Sequence, residues 1–243
     1  MTTSFNEEQY DLAYPDGIEF HWWNRYRSGL IARLCRGAVP EDARLLEVGC
    51  GRGGEVRALR GNGFNARGVE LAPVPPLPPV TEFVDSDQDA TTLPEEQRAG
   101  VAAILLLDVI EHLPEPGQFL AALEAAYPNL TTVIVTVPAR GELWSNYDEF
   151  YGHYRRYTLP MLGELADELG WSRQESGYFF QLLYLPMRLL SALGVKRATS
   201  IAAPSTRARW LHALVAGYHR LEGLLLPGAV PGTSAYAVFS VKR

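Results

Sequence analysis

Short apolar runs alternate along this chain with stretches of helical periodicity. Runs at 45–48, 66–70, 81–84, 101–107, 131–137, 173–180 and 236–241 have strand length. Those at 101–107 and 131–137 are apolar throughout, the pattern of parallel strands buried on both faces. Trp22, Trp23, Tyr26, Leu30, Ile31 and Leu34 recur at helical spacing within 19–36, and 53–60, 118–126 and 159–169 also suit helices. This alternation predicts an α/β fold, a parallel sheet with helices on both faces.

Two stretches depart from the pattern. Residues 73–79 hold five prolines in seven residues where a crossover helix would stand, so they predict a stiff extended connector. Residues 181–230 form a helical insertion, in which Leu211, Leu214, Val215, Tyr218, Leu221, Leu224 and Leu225 make a stripe expected to pack on the sheet or on a neighbouring helix. The division expected is a single domain over 1–243: a helical cap at 1–40, a core at 41–180, the insertion, and a last strand within 233–243.

The sharpest punctuation is Leu46-Glu47-Val48-Gly49-Cys50-Gly51-Arg52-Gly53-Gly54. A strand breaks into glycines and restarts as a helix, so free N–H groups at a helix start can face a ligand pressed against the backbone. The spacing of Gly49, Gly51 and Gly54 also fits a dinucleotide fingerprint, and the turn alone leaves a nicotinamide-dependent oxidoreductase open.

Bulk properties narrow the classes. The chain has 243 residues and a net charge of −6, which predicts no nucleic-acid partner. Cys35 and Cys50 are too few for a disulfide framework and lack metal-site spacing. Neither a metal nor a signal peptide is expected, and the compartment expected is the cytoplasm. The apolar segment 178–195 is interrupted by Gln181, Pro186 and Arg188; a membrane-surface or lipid-linked contact there, or a homodimer, stays open.

Four motifs in order resemble the class I S-adenosylmethionine-dependent methyltransferases: Leu46 to Gly51, Gly68-Val69-Glu70, Asp89-Ala90-Thr91-Thr92-Leu93-Pro94, and Asp108-Val109-Ile110-Glu111-His112-Leu113. A fifth, Val137-Pro138-Ala139 through Trp144, Asp148 and Gly152-His153-Tyr154-Arg155-Arg156-Tyr157-Thr158, is similar to a bacterial subgroup acting on small molecules or glycans. The resemblance implies a Rossmann-like, doubly wound, mostly parallel seven-stranded sheet with an antiparallel last strand. It implies S-adenosyl-L-methionine as cofactor, S-adenosyl-L-homocysteine as product, and methyl transfer to an O or N of a small-molecule, glycan- or lipid-linked acceptor. A non-catalytic S-adenosylmethionine-binding partner subunit is the other alternative.

On this reading Glu47, Gly49, Cys50, Gly51 and Gly53 hold the amino-acid tail of the cofactor, Glu70 and Leu71 its ribose side, and Asp89 and Ala90 its adenine. Asp108 and Val109 line the methionine side. Arg27, one helical turn from Trp23, can reach the cofactor carboxylate. Transfer from a sulfonium is an in-line displacement that chiefly requires alignment and dryness. A hydroxyl or protonated amine acceptor also requires a base, which points to His153, with Asp148 as its partner, and to His112. Trp144, Tyr157 and Arg155 are the candidate acceptor contacts.

Overall fold

The computed structural model describes residues 9, 12 and 15–241, so the cap at 1–40 lies partly outside the described residues. Trp23 N–H donates to the His21 ring at 3.3 Å, which caps α1 (Trp22–Ala38). There follow β1 (Arg44–Val48), α2 (Gly54–Gly61), β2 (Asn65–Glu70), β3 (Val84–Ser86), the single turn α3 (Glu95–Arg98), β4 (Val101–Leu107), α4 (Pro116–Ala126) and β5 (Thr132–Pro138). The chain closes with α5 (Asn146–Phe150), α6 (Leu159–Glu168), β6 (Ser172–Phe179), α7 (Tyr184–Ala192), α8 (Arg209–Leu225) and β7 (Ser234–Ser240).

The sheet runs β3-β2-β1-β4-β5-β7-β6, parallel except for β7, which is antiparallel to both neighbours. Alternation along β1 sorts its side chains: Leu46 and Val48 join the core under Leu120 and Leu162 of α4 and α6, while Leu45 joins the core under Ile31 and Leu34 of α1. Glu47 therefore faces α1. Strand order reverses between β1 and β4, and a crevice for ligands opens beyond the carboxyl ends of strands at such a switch point.

Two expectations are corrected. The third strand, expected at 81–84, lies at Val84–Ser86, because the proline-rich connector winds into a 3-10 helix over Pro78–Phe83 with Pro78 at its first position. Leu77 N–H donates to Arg52 O at 2.9 Å, pinning this connector to the glycine turn.

The leucine stripe of α8 does not pack inward. Leu211, Leu214, Tyr218, Leu221, Leu224 and Leu225 are all exposed, Leu224 to 82%. Against α1 the helix instead turns Ala216, His219 and Glu222. Trp22 stacks on His219 at 5.2 Å, and Glu222 binds both His219 Nδ1 (2.5 Å) and Leu182 N–H (2.9 Å). Close approach is the reason: a Cβ at Gly223 would stand 2.8 Å from Tyr26 Oη. α7 has no buried residue, and Leu185, Leu189, Leu190 and Leu193 point to solvent.

Candidate active site

The glycine turn folds as its sequence requires. Gly49, Gly51 and Gly53 all have positive φ, at 75°, 53° and 82°. A Cβ on Gly49 would come within 2.9 Å of Val109 Cγ2, so the first and fourth motifs touch at this point. Glu70 closes the turn: its carboxylate accepts Gly51 N–H at 2.8 Å and Ala72 N–H at 3.0 Å. The sequence reading gave Glu70 to ribose hydroxyls, and the structure adds that this carboxylate also shapes the loop. Leu71, next in the chain, is half-buried.

The adenine-side loop is drawn to the end of β2 by Gln88 N–H, which donates to Glu70 O at 3.1 Å. Within it Asp89 is a helix cap, its Oδ1 accepting Thr91 N–H at 2.8 Å and Thr91 Oγ at 2.7 Å, and Ala90 is buried. Burial acts to raise the Asp89 carboxyl, but the two Thr91 bonds hold it below its ordinary range.

At the centre lies an electrostatic knot that motif reading saw only in part. Arg27, 8% exposed, donates to Asp108 Oδ2 at 2.7 Å and Thr136 Oγ at 3.3 Å and lies 5.1 Å over the Trp23 ring. Glu47 and Glu55 are buried beside it, and Ser28 Oγ donates to Glu55 Oε2 at 2.6 Å. Glu47 Oε2 has no hydrogen-bond partner among the described residues. Burial first, and then the charge of Glu55, push the Glu47 carboxyl well above the usual range, with Arg27 opposing. Asp108 itself sits at φ +59°, a strained conformation of the kind functional sites retain.

A cavity of about 610 Å³ opens over this knot, between α1, α2 and the segment before α1. Arg27, Glu47 and Cys50 line it; Glu70, Asp89, Asp108 and Val109 do not. The buried cysteine is inert as a thiol, because burial and the nearby Glu47 charge push it well up.

The fifth motif builds a second knot. Ser145 and Asp148 cap α5 reciprocally, Ser145 N–H donating to Asp148 Oδ2 at 2.9 Å and Tyr147 N–H to Ser145 Oγ at 3.3 Å. The other oxygen of Asp148, wholly buried, takes His153 Nδ1 at 2.9 Å and Arg156 Nε at 2.7 Å. Burial acts to raise Asp148, but the hydrogen bond from His153 and the charge of Arg156 hold it down to about 2. His153 stands edge-on to His112, ring centroids 4.7 Å apart. Tyr154 N–H donates to Glu111 O at 2.8 Å, tying the segment to the end of β4.

Of the candidate acceptor contacts, Tyr157 and Arg155 serve as tethers. Tyr157 is buried in the core with its hydroxyl on Ile110 O at 3.0 Å, and Arg155 donates to Leu113 O and Pro114 O. Trp144 is half-buried and is the one of the three without a side-chain tether among the described residues. The sequence reading gave no site role to Glu55 or Glu111; Arg156, named within the fifth motif, proves to be a tether to Asp148. Glu111 follows Val109 and Ile110 but precedes His112, so no local pattern announced its burial.

A profile described as a methyltransferase domain matches residues 22–175. The mitochondrial ubiquinone biosynthesis O-methyltransferase of Arabidopsis thaliana is 30% identical over 169 residues, 56% of this chain and 51% of that protein. The chain thus spans about half the length of that curated relative. A phosphoethanolamine N-methyltransferase 2 of Haemonchus contortus, solved with S-adenosyl-L-methionine, has a TM-score of 0.55 at 17% identity, covering 99% of this chain and 57% of that one. A plantazolicin methyltransferase solved with S-adenosylhomocysteine and a triazolic desmethylPZN analogue has a TM-score of 0.52 at 14% identity, with 97% of this chain and 89% of that one covered. At those identities the two structural likenesses are likenesses of fold.

Proposed function

The chain belongs to the methyltransferase-domain family and is a class I S-adenosylmethionine-dependent enzyme, and from that premise we propose that it methylates an oxygen or nitrogen of an apolar, lipid-linked acceptor reached at an anionic membrane surface. The family decides what the glycine spacing left open: the cofactor is S-adenosylmethionine, not a nicotinamide dinucleotide. The residues present fit it. Glu47, buried with an unpartnered oxygen, suits the ammonium of the amino-acid tail, and the positive-φ turn at Gly49 and Gly51 leaves room for a ligand against the backbone. When bound, the cofactor supplies an electrophilic methyl on a sulfonium. The chain's part is to seat the acceptor in line with that methyl, keep water out and accept a proton, a task for which His153, bonded to Asp148, and the neighbouring His112 are our candidates.

The observation that carries the acceptor reading is the outward apolar face of the insertion. α7 and α8 expose Leu185 (73%), Leu189, Leu193, Trp210, Leu214, Tyr218 and Leu224, and the segment 181–230 carries Arg188, Lys196, Arg197, Arg207, Arg209 and Arg220 against one acid, the buried Glu222. In a chain of net charge −6, that local basic excess on apolar helices complements an anionic lipid surface better than a second copy of a basic face. The relative named for ubiquinone biosynthesis O-methylation supports an oxygen acceptor. Among the described residues no helix is long and apolar enough to cross a membrane, so the contact is with a surface.

Sedimentation with phosphatidylglycerol vesicles tests this. The protein is expected to pellet with them, less so with phosphatidylcholine or at high salt, and not at all as Leu185→Asp/Leu189→Asp. Protein left in the supernatant with both vesicle types, or a dimer in light scattering that the same substitutions dissolve, overturns the membrane reading. The cofactor half is checked separately by calorimetry: S-adenosylhomocysteine is expected to bind, and Gly49→Ala to weaken it at least about tenfold, since positive φ and the 2.9 Å approach to Val109 both oppose a methyl there.

A further inference from the structure

Arg197, in the segment between α7 and α8, stands in an unusual place for a cation. Its backbone is stapled to α5 from both sides: Arg197 N–H donates to Asn146 Oδ1 at 2.8 Å, and Asn146 Nδ2 donates to Arg197 O at 3.0 Å. Just beyond, Tyr151 Oη donates to Thr199 O at 2.7 Å. The staple turns the side chain inward. Where Arg188, Lys196, Arg207 and Arg220 of the same insertion are exposed, Arg197 is half-buried, with its guanidinium 4.7 Å over the Tyr147 ring. That guanidinium makes no ion pair or hydrogen bond among the described residues, and neither does the Tyr147 hydroxyl.

We propose that Arg197 and Tyr147 form a binding site for an oxyanion, a carboxylate or a phosphate, carried by the methyl acceptor. The local balance of charge asks for one. Arg156 and Arg197 lie close enough for their like charges to oppose each other, and one carboxylate, Asp148, faces them. That carboxylate is already used: one oxygen takes Arg156 Nε and His153 Nδ1, and the other takes the Ser145 N–H. Asp108, the next acid along, is paired with Arg27. Burial first, and then the charge of Arg156, pull the Arg197 guanidinium below its ordinary range, as for a cation short of counter-charge, yet an arginine keeps its proton. Burial pushes the Tyr147 phenol up, so it stays a donor. An anion entering here meets a planar guanidinium and a hydroxyl away from bulk water, where charge-assisted hydrogen bonds are strong.

The position fits the acceptor side of the reaction. The Tyr147 ring lies 6.4 Å from the His153 ring, which is itself edge-on to His112, the pair named above as candidates for taking the acceptor proton. An acceptor anchored through its anion at Arg197 brings a neighbouring hydroxyl or amine toward those rings. The insertion thereby supplies a specificity contact, because a molecule without the anionic group leaves Arg197 half-buried and unpaired. Assigning the anion to an acceptor rests on the methyltransferase reading above, whereas oxyanion binding does not.

The test is calorimetric titration of the full chain with hexanoate, hexyl phosphate and, as the uncharged control, hexanol. At least one of the two anions is expected to bind about tenfold or more tightly than hexanol, and the tighter of the two identifies the oxyanion. Arg197→Met keeps an apolar cover on Tyr147 and removes no hydrogen bond of the side chain, so it is expected to fold and to lose that preference. Arg197→Lys keeps the charge without the planar fork and is expected to recover part of it. Tyr147→Phe keeps the ring under the guanidinium and is expected to weaken the anion about threefold or more. Hexanol bound by the wild type as tightly as both anions, or an anion preference unchanged in Arg197→Met, overturns the site. Arg197→Met is also expected to sediment with phosphatidylglycerol vesicles as wild type does, since the exposed cations remain; a selective loss from the pellet would assign Arg197 to lipid headgroups and overturn the acceptor assignment. S-adenosylhomocysteine affinity is expected to be the same in Arg197→Met and wild type; its absence in the wild type would count against the methyltransferase reading and not against the oxyanion site.

Discussion

Arg27→Met is expected to be the most damaging single substitution in the cofactor half, costing about 3–5 kcal/mol of folding stability, the typical loss when one partner of a buried ion pair is removed. For a chain of this size that lowers the melting temperature by roughly 10 °C. The guanidinium is the one positive group inside the knot: it meets Asp108 at 2.7 Å, and its charge opposes the upward shifts of Glu47, Glu55 and Glu111. Without it those carboxyls move further up. A carboxyl whose folded pKa exceeds its unfolded one contributes full stability only below the unfolded value, near 4.3, and loses it as pH rises toward the folded value. The deficit of Arg27→Met should therefore grow between pH 5 and pH 8. Urea unfolding at both pH values checks it; a loss under about 1 kcal/mol, or a deficit that shrinks with rising pH, would contradict this account.

Asp148→Ala should be comparably severe in the other knot. It strands Arg156 in the interior and removes the acceptor of His153 Nδ1 and of the Ser145 N–H, again about 3–5 kcal/mol. Asp148→Asn keeps the shape and loses the charge, so about 1–3 kcal/mol is expected. The sign of the pH effect is opposite to that of the first knot. Held down to about 2, Asp148 contributes stability that is complete above its unfolded pKa near 3.9 and disappears as pH falls through its folded value. Wild type should lose on the order of 2 kcal/mol from this group between pH 4 and pH 2, and Asp148→Asn should lack that part of the acid transition. Equal acid curves for the two proteins would show that the network is not held by charge.

The two knots also explain which parts of the site could be read in advance. Glycines at a strand end, an acid about twenty residues later and Asp108 after an apolar run are local patterns, each forced by backbone geometry within a few residues. Glu55 and Glu111 were hidden because nothing in their own segments says that they will be buried; helix α1 and the segment after β5 bury them. Tyr157 and Arg155 carry polar tips that suit a substrate equally well, and only the position of Ile110, Leu113 and Pro114 assigns those tips to tethering. The leucine stripe of α8 misled for a different reason. Period alone says that one face is apolar, while the fit of Gly223 and Ala216 against Tyr26 and Trp22 decides which face goes inward.

By itself the sequence determined the alternation of strands and helices, the α/β sheet and the glycine turn, because periodicity and the φ demands of glycine act over short spans of chain, and the order of its separated motifs carried the family resemblance. Tertiary structure alone decided that Arg27 neutralises a nest of acids, that Arg156 shares the Asp148 oxygen which His153 takes while His153 meets His112 edge-on, and that the insertion shows its leucines to solvent. Those outcomes depend on burial and on the meeting of side chains distant in sequence, from 27 to 108 and from 112 to 153. Charge energetics follow burial, and burial is a property of the assembled layers rather than of any one segment.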